Sequence, residues 1–115
     1  MKVSFEGLGE KVATFWNAPD NAAVAGKVVK IPEACTVKLC ADGDKVAGVC
    51  VDADLCMATV KLDGFVTVPY TGAAPAVGFS ALSADAAGGV KASAAGREYL
   101  VLEVDTAAKT VGFIL

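Results

Sequence analysis

The run Ala58-Thr59-Val60-Lys61-Leu62-Asp63-Gly64-Phe65-Val66-Thr67-Val68-Pro69-Tyr70 constrains the fold of this chain more than any other segment. Apolar and polar residues alternate, the pattern breaks at Asp63-Gly64, and a β-branched and aromatic run resumes and stops at a proline. Alternation with period two places every second side chain on one face, so the segment predicts half-buried β-structure. Asp-Gly suits a two-residue hairpin turn, and glycine also serves as a kink where one strand turns a barrel corner. The kinked strand is the preferred expectation.

Composition extends the β reading to the whole chain. Of 115 residues, 22 are Ala, 17 Val and 12 Gly, against two Asn and no Gln. Small and β-branched side chains suit closely approached sheets. Most of the alanine lies in segments punctuated by Gly and Pro, where a helix does not propagate. Such a length makes one domain that buries roughly 65% of its unfolded surface. Strands are expected at residues 2–6, 11–16 and 26–31, the last ended by Pro32. Further strands are expected at 36–40, 45–51, 57–68, 76–82 and 90–92. Tyr99-Leu100-Val101-Leu102-Glu103-Val104, a turn at 105–109 and Thr110-Val111-Gly112-Phe113-Ile114-Leu115 form the clearest hairpin. No repeat period stands out. The expectation is an all-β fold, a small single-domain β-barrel or sandwich of eight to ten short strands over 17–115. Residues 1–16 would form an extended N-terminal arm, detachable at Gly7 and Gly9.

Charge excludes one class of partner. The net charge is −3, Arg97 is the single arginine, and the nine lysines are scattered. A nucleic-acid surface needs clustered cations to release counterions. No apolar run reaches the roughly 18–20 residues of a membrane-spanning helix. Met1-Lys2-Val3-Ser4-Phe5-Glu6 lacks the apolar centre of a signal peptide, so cytoplasmic synthesis is expected.

Chemistry is sparse. The chain has no histidine. The pairs Asp42/Asp44, Asp52/Asp54 and Glu103/Asp105 share a face if extended, as a glycosidase or calcium site requires. Aspartates at strand ends more often cap their own turns. Cys35, Cys40, Cys50 and Cys56 lack the C-x2-C spacing of zinc knuckles, and a disulfide framework needs a secretory context. The commoner reading is free thiols filling small apolar slots, with disulfide and metal binding as lesser alternatives. A cysteine nucleophile needs a neighbouring base or cation, and only Lys38 and Lys45 stand near. The expectation is no enzyme, no cofactor, and no metal or catalytic residue. Among the aromatics, Phe5, Phe15, Trp16 and Tyr70 are candidate partner contacts. Trp16, beside loop-forming Asn17, is the strongest.

Asp63-Gly64-Phe65-Val66-Thr67-Val68-Pro69 lies in a recognisable order of segments. An Ala-rich loop into Gly26-Lys27-Val28-Val29 and a Gly48-Val49 strand precede it. Val77-Gly78-Phe79 and a terminal Gly112-Phe113-Ile114-Leu115 follow it. Over residues 23–115 this order resembles small all-β capsid decoration (head-stabilising) proteins of tailed phages and prophages. The resemblance implies a non-enzymatic β-barrel on the outer capsid face of the virion. It implies a major capsid protein as partner and a homo-oligomer, often a trimer. A carbohydrate- or protein-binding β module is the alternative. A biotinyl- or lipoyl-like carrier is the remote one, since Asp44-Lys45-Val46 matches the modified-lysine motif imperfectly.

Overall fold

The structure, a computed structural model, describes residues 11–115. It is all-β, with ten strands: β1 (Lys11–Asn17), β2 (Val28–Glu33), β3 (Thr36–Leu39), β4 (Gly48–Ala53), β5 (Met57–Asp63), β6 (Phe65–Thr71), β7 (Gly78–Ala84), β8 (Val90–Ala92), β9 (Arg97–Asp105) and β10 (Thr110–Ile114). They close into two five-stranded barrels, β1-β3-β2-β4-β5 and β10-β6-β8-β7-β9. Closure leaves neither sheet with an unpaired edge.

The opening segment is the seam between these barrels. β5 ends at Asp63 and β6 begins at Phe65, with Gly64 between them at φ 100. The two strands do not pair with each other. Asp63-Gly64 is therefore no hairpin, and the bend passes the chain from one barrel to the next. Along β6, Val66, Val68 and Tyr70 are buried while Thr67, Pro69 and Thr71 are exposed. The alternation therefore identifies the inward face correctly.

The expected all-β, single-domain barrel or sandwich of eight to ten strands is what forms, with its ten strands divided between two closed sheets. Other expectations are corrected. Residues 11–16 are no arm: β1 pairs antiparallel with β5 from Lys11 to Trp16 and touches β3 at Trp16 and Asn17. The remainder of that arm, residues 1–10, lies outside the described residues, as does Phe5. Pro32 does not end β2, which continues to Glu33. The ladder with β3 instead shifts register between Lys30 and Glu33, so the missing N–H breaks no bond of the ladder. Residues 45–47 precede β4 rather than belonging to it. In β9 the core takes Tyr99 and Val101, and Leu100 faces outward.

The absence of a repeat is also corrected, because the two barrels have one topology in the same strand order. For the first, second, third and fifth strands of each unit the pairing repeats at a spacing of 53 residues, and the fourth strand follows at 51. Asn17 stands opposite Val37, and Tyr70 opposite Val90. Phe15 stands opposite Ala58 and Ala13 opposite Val60; Val68 stands opposite Val111 and Val66 opposite Phe113. Lys30 faces Lys38 as Ser83 faces Lys91. Even the bulge recurs. Val51 is skipped between Cys50 and Asp52, and Leu102 between Val101 and Glu103, against matched residues of β5 and β10.

Two cores result. The first barrel encloses Ala23, Val29, Val37, Cys50, Ala58 and Val60, with Phe15 packed against them. The second encloses Val66, Val68, Tyr70, Leu82, Val101, Val111 and Phe113, with Tyr99 tilted against Phe113 at 4.9 Å between centroids. Val28, Val46 and Val49, from the first barrel, complete this second core.

Candidate interaction surfaces

Antiparallel pairing of β1 with β5 sets Trp16 directly opposite Met57 on the outside of the first barrel. Trp16 is 58% exposed, and Leu55, in the turn after β4, is 97% exposed. A cross-strand aromatic and thioether pair makes a flat apolar platform.

The platform is held from below by polar groups. Asn17 follows Trp16 with its side chain turned inward, buried. Its amide donates to the Asp54 carbonyl at 3.0 Å and the Ala23 carbonyl at 3.4 Å, and its oxygen accepts the Ala23 N–H at 2.8 Å. The Asp54 carboxylate accepts the N–H groups of Cys56 and Met57, each at 2.8 Å. Those donors, Met57 first, hold its carboxyl below the ordinary value of 3.8. The Trp16 N–H donates to the Cys35 carbonyl at 2.8 Å, and the Asn17 N–H to that of Cys56 at 2.9 Å. Cys35 and Cys56 therefore flank the platform, and both are exposed. The expectation that cysteines fill apolar slots holds for Cys50 alone among the fully buried positions; it is corrected for Cys35 and Cys56.

A second apolar face lies on the other barrel. Phe79 of β7, 73% exposed, stands opposite Leu100 of β9, with exposed Val77 just before β7. The sequence analysis names neither Phe79 nor Leu100 as a contact. The available signal was the alternation itself, which puts Leu100 on the face opposite Tyr99 and Val101.

The three sequence-predicted contacts among the described residues, Phe15, Trp16 and Tyr70, do not share one exposed surface. Trp16 is exposed. Phe15, its neighbour, is half-buried against the first core. Tyr70 is 4% exposed inside the second core and offers no surface to a partner, which corrects its assignment as a contact.

The polar hollow of about 370 Å³ beside Lys30, Lys38, Cys40 and Asp42 is chemically quiet. Lys30 is paired with Asp44 at 2.7 Å and Lys38 with Asp20 at 3.1 Å. Burial, helped by the Asp44 carboxylate, pushes the Cys40 thiol up to about 11, so it stays protonated near neutrality. The paired carboxylates are engaged in turns. Asp44 accepts the Ala41 N–H, and Asp105 accepts those of Ala107 and Ala108. Among the described residues, no cluster of three or more His, Cys, Asp or Glu side chains is placed to hold a metal ion.

Comparison of the chain with protein-family models, curated proteins and solved structures finds no match.

Proposed function

We propose that this chain is a non-enzymatic structural protein, a capsid decoration protein of a tailed phage or prophage that binds the major capsid protein on the outer surface of the virion. The order of segments over residues 23–115 supports that reading. The observation that carries it is the apolar face at Trp16 and Met57, with exposed Leu55 nearby in sequence, built on paired strands of a closed barrel. Rigid strands presenting exposed aromatics suit a large flat partner, because little conformational entropy is lost on docking.

Particles purified after induction of the prophage that encodes this chain, analysed by protein mass spectrometry and electron microscopy, test the proposal. The expected result is stoichiometric recovery of the chain with the major capsid protein and extra density on the outer shell. Capsids that contain the major protein and lack this chain would overturn it. Trp16, exposed beside Met57, also favours a second reading, a carbohydrate-binding module that stacks a sugar ring on the indole. A glycan array that captures the wild type and not Trp16→Ala would establish this alternative.

A further inference from the structure

The joint between the two barrels is a contact between two copies of one structural unit, and it is head to tail. The first unit contributes the outer face of its second and fourth strands, where Val28 stands opposite Val49, and the loop that leads into its fourth strand. Val28, Val46 and Val49 are all buried in the core of the second barrel. The second unit receives them at the end of its second strand and the turn that follows. The Gly43 N–H donates to the Ala84 carbonyl at 2.9 Å, the Ala84 N–H to the Asp44 carbonyl at 2.8 Å, and the Val28 N–H to the Gly88 carbonyl at 3.1 Å. The Tyr99 hydroxyl donates to the Val46 carbonyl at 3.0 Å, and Lys91 pairs with Asp42 at 2.8 Å.

An isologous joint would use each of these faces twice. Here each is used once. The first unit's counterpart of the receiving turn is residues 31–35. Ile31 there is 46% exposed, and Cys35 takes the place of Gly88, both at positive φ. The second unit's counterpart of the contributing face is the outside of β7 and β9, where Leu100 matches Val49 and a register displaced by two residues sets the exposed Phe79, rather than Ala81, opposite it. One chain therefore leaves uncovered the outside of β7 and β9 and the Ile31 side of the 31–35 turn.

We propose that the Phe79/Leu100 face of one chain docks on the 31–35 turn of a second copy, repeating between chains the joint already made within the chain. The proposal stands on the repeat and holds with or without a capsid lattice. The loop over residues 18–23 already lies along β3, with the Leu39 N–H donating to the Asn21 carbonyl at 2.8 Å. The incoming face therefore meets the Ile31 side of that end. A heterologous contact of this sort closes into a ring or extends as a filament.

Sedimentation velocity of the full chain across micromolar concentrations tests the contact. The expected result is reversible assembly that weakens at least about 30-fold in Phe79→Glu, in Leu100→Glu and in Ile31→Glu, the loss typical of an anchor residue. Trp16→Glu, on the other face, should assemble as wild type does. All four positions are exposed, and an unchanged circular dichroism spectrum and melting midpoint certify the fold. A wild-type chain that stays monomeric overturns the proposal. So does assembly that survives Phe79→Glu and Ile31→Glu, or that fails only in Trp16→Glu. None of these outcomes depends on capsid binding, so this contact and the decoration role fail separately.

Discussion

Where the first barrel carries Ala58 and Val60, the second carries Val111 and Phe113, and where the first carries Asn17 the second carries Tyr70. The pairing is the same and the volumes are not. Barrel closure thus depends on register, turns and bulges, which recur, more than on the size of the side chains enclosed. The matched turns show this directly. Asp54 and Asp105 each accept the N–H groups two and three residues ahead. What differs is how each unit makes up its interior. The first, filled by Ala, Val and Cys, ties its end shut through the hydrogen bonds of Asn17. The second, filled by Tyr and Phe, is closed by valines from the first.

The largest expected effect tests that division of labour. Phe113→Ala opens a cavity in the core both barrels share, and should cost about 3–5 kcal/mol in urea unfolding. Val60→Ala, at the matched position, removes less and should cost about 1.5–2.5 kcal/mol. Both variants should unfold in one transition. Two separated transitions in Val60→Ala would mean that the first barrel melts alone and that Val28, Val46 and Val49 do not couple the units.

Asn17→Ala comes next. It leaves the buried Ala23 N–H without its acceptor and should cost about 2–3 kcal/mol. The loss should fall on the first barrel, with faster amide exchange at Ala23 ahead of any change at Tyr70. A cost below about 0.5 kcal/mol would show that the loop over residues 18–23, rather than its hydrogen bonds, closes that end.

The comparison also explains what could be read from the sequence. The β9–β10 hairpin was legible because Asp105 and the residues after it carry turn chemistry between two alternating runs. The alternation that gave Val66, Val68 and Tyr70 an inward face was local, and it survived. The repeat was not legible, since matched positions share burial and pairing rather than identity: Val37 and Val90 agree, while Asn17 and Tyr70, or Val60 and Phe113, do not. The number of barrels was hidden for a different reason. Ten short strands satisfy one closed sheet or two, and the choice lies in the long-range pairing of β1 with β5, which no local pattern encodes. Trp16 was identified as exposed because loop formers follow it. Phe79 was missed because an isolated apolar aromatic reads as core.

Two titrations sharpen the contrast between turns and hollows. The Asp54 carboxyl, held down by the Met57 and Cys56 N–H groups, titrates below 3.8 in the folded chain. A depressed folded value contributes stability above the unfolded value that is lost as pH falls through the folded one. Stability should therefore hold from neutrality to about pH 4 and fall below it, less steeply in Asp54→Asn. An identical acid limb in that variant would remove the turn as its source. Cys40 behaves oppositely. Its raised value of about 11, against an ordinary 9.0, contributes stability that is present below pH 9 and lost as pH rises toward 11. With a thiol reagent near neutrality, the exposed Cys35 and Cys56 should react fast and Cys40 and Cys50 slowly. Four equal rates would contradict the burial of the two slow thiols.

The smallest effect separates the barrels at a single matched position. Cys35 and Gly88 occupy the same place in the turn after the second strand of each unit, at φ 59 and 91. A left-handed backbone costs a side-chain-bearing residue roughly 1–2 kcal/mol, which glycine avoids at the expense of about 0.5–1 kcal/mol of unfolded-state entropy. Cys35→Gly should therefore raise stability by about 0.5 kcal/mol. Gly88→Ala should lower it by about 1 kcal/mol, since the new Cβ would also meet the Lys27 stem at 2.7 Å. Opposite signs at equivalent sites are the signature of one turn conformation imposed on two sequences. If both substitutions destabilised, the turn at Cys35 would owe its shape to the cysteine rather than to the repeated fold.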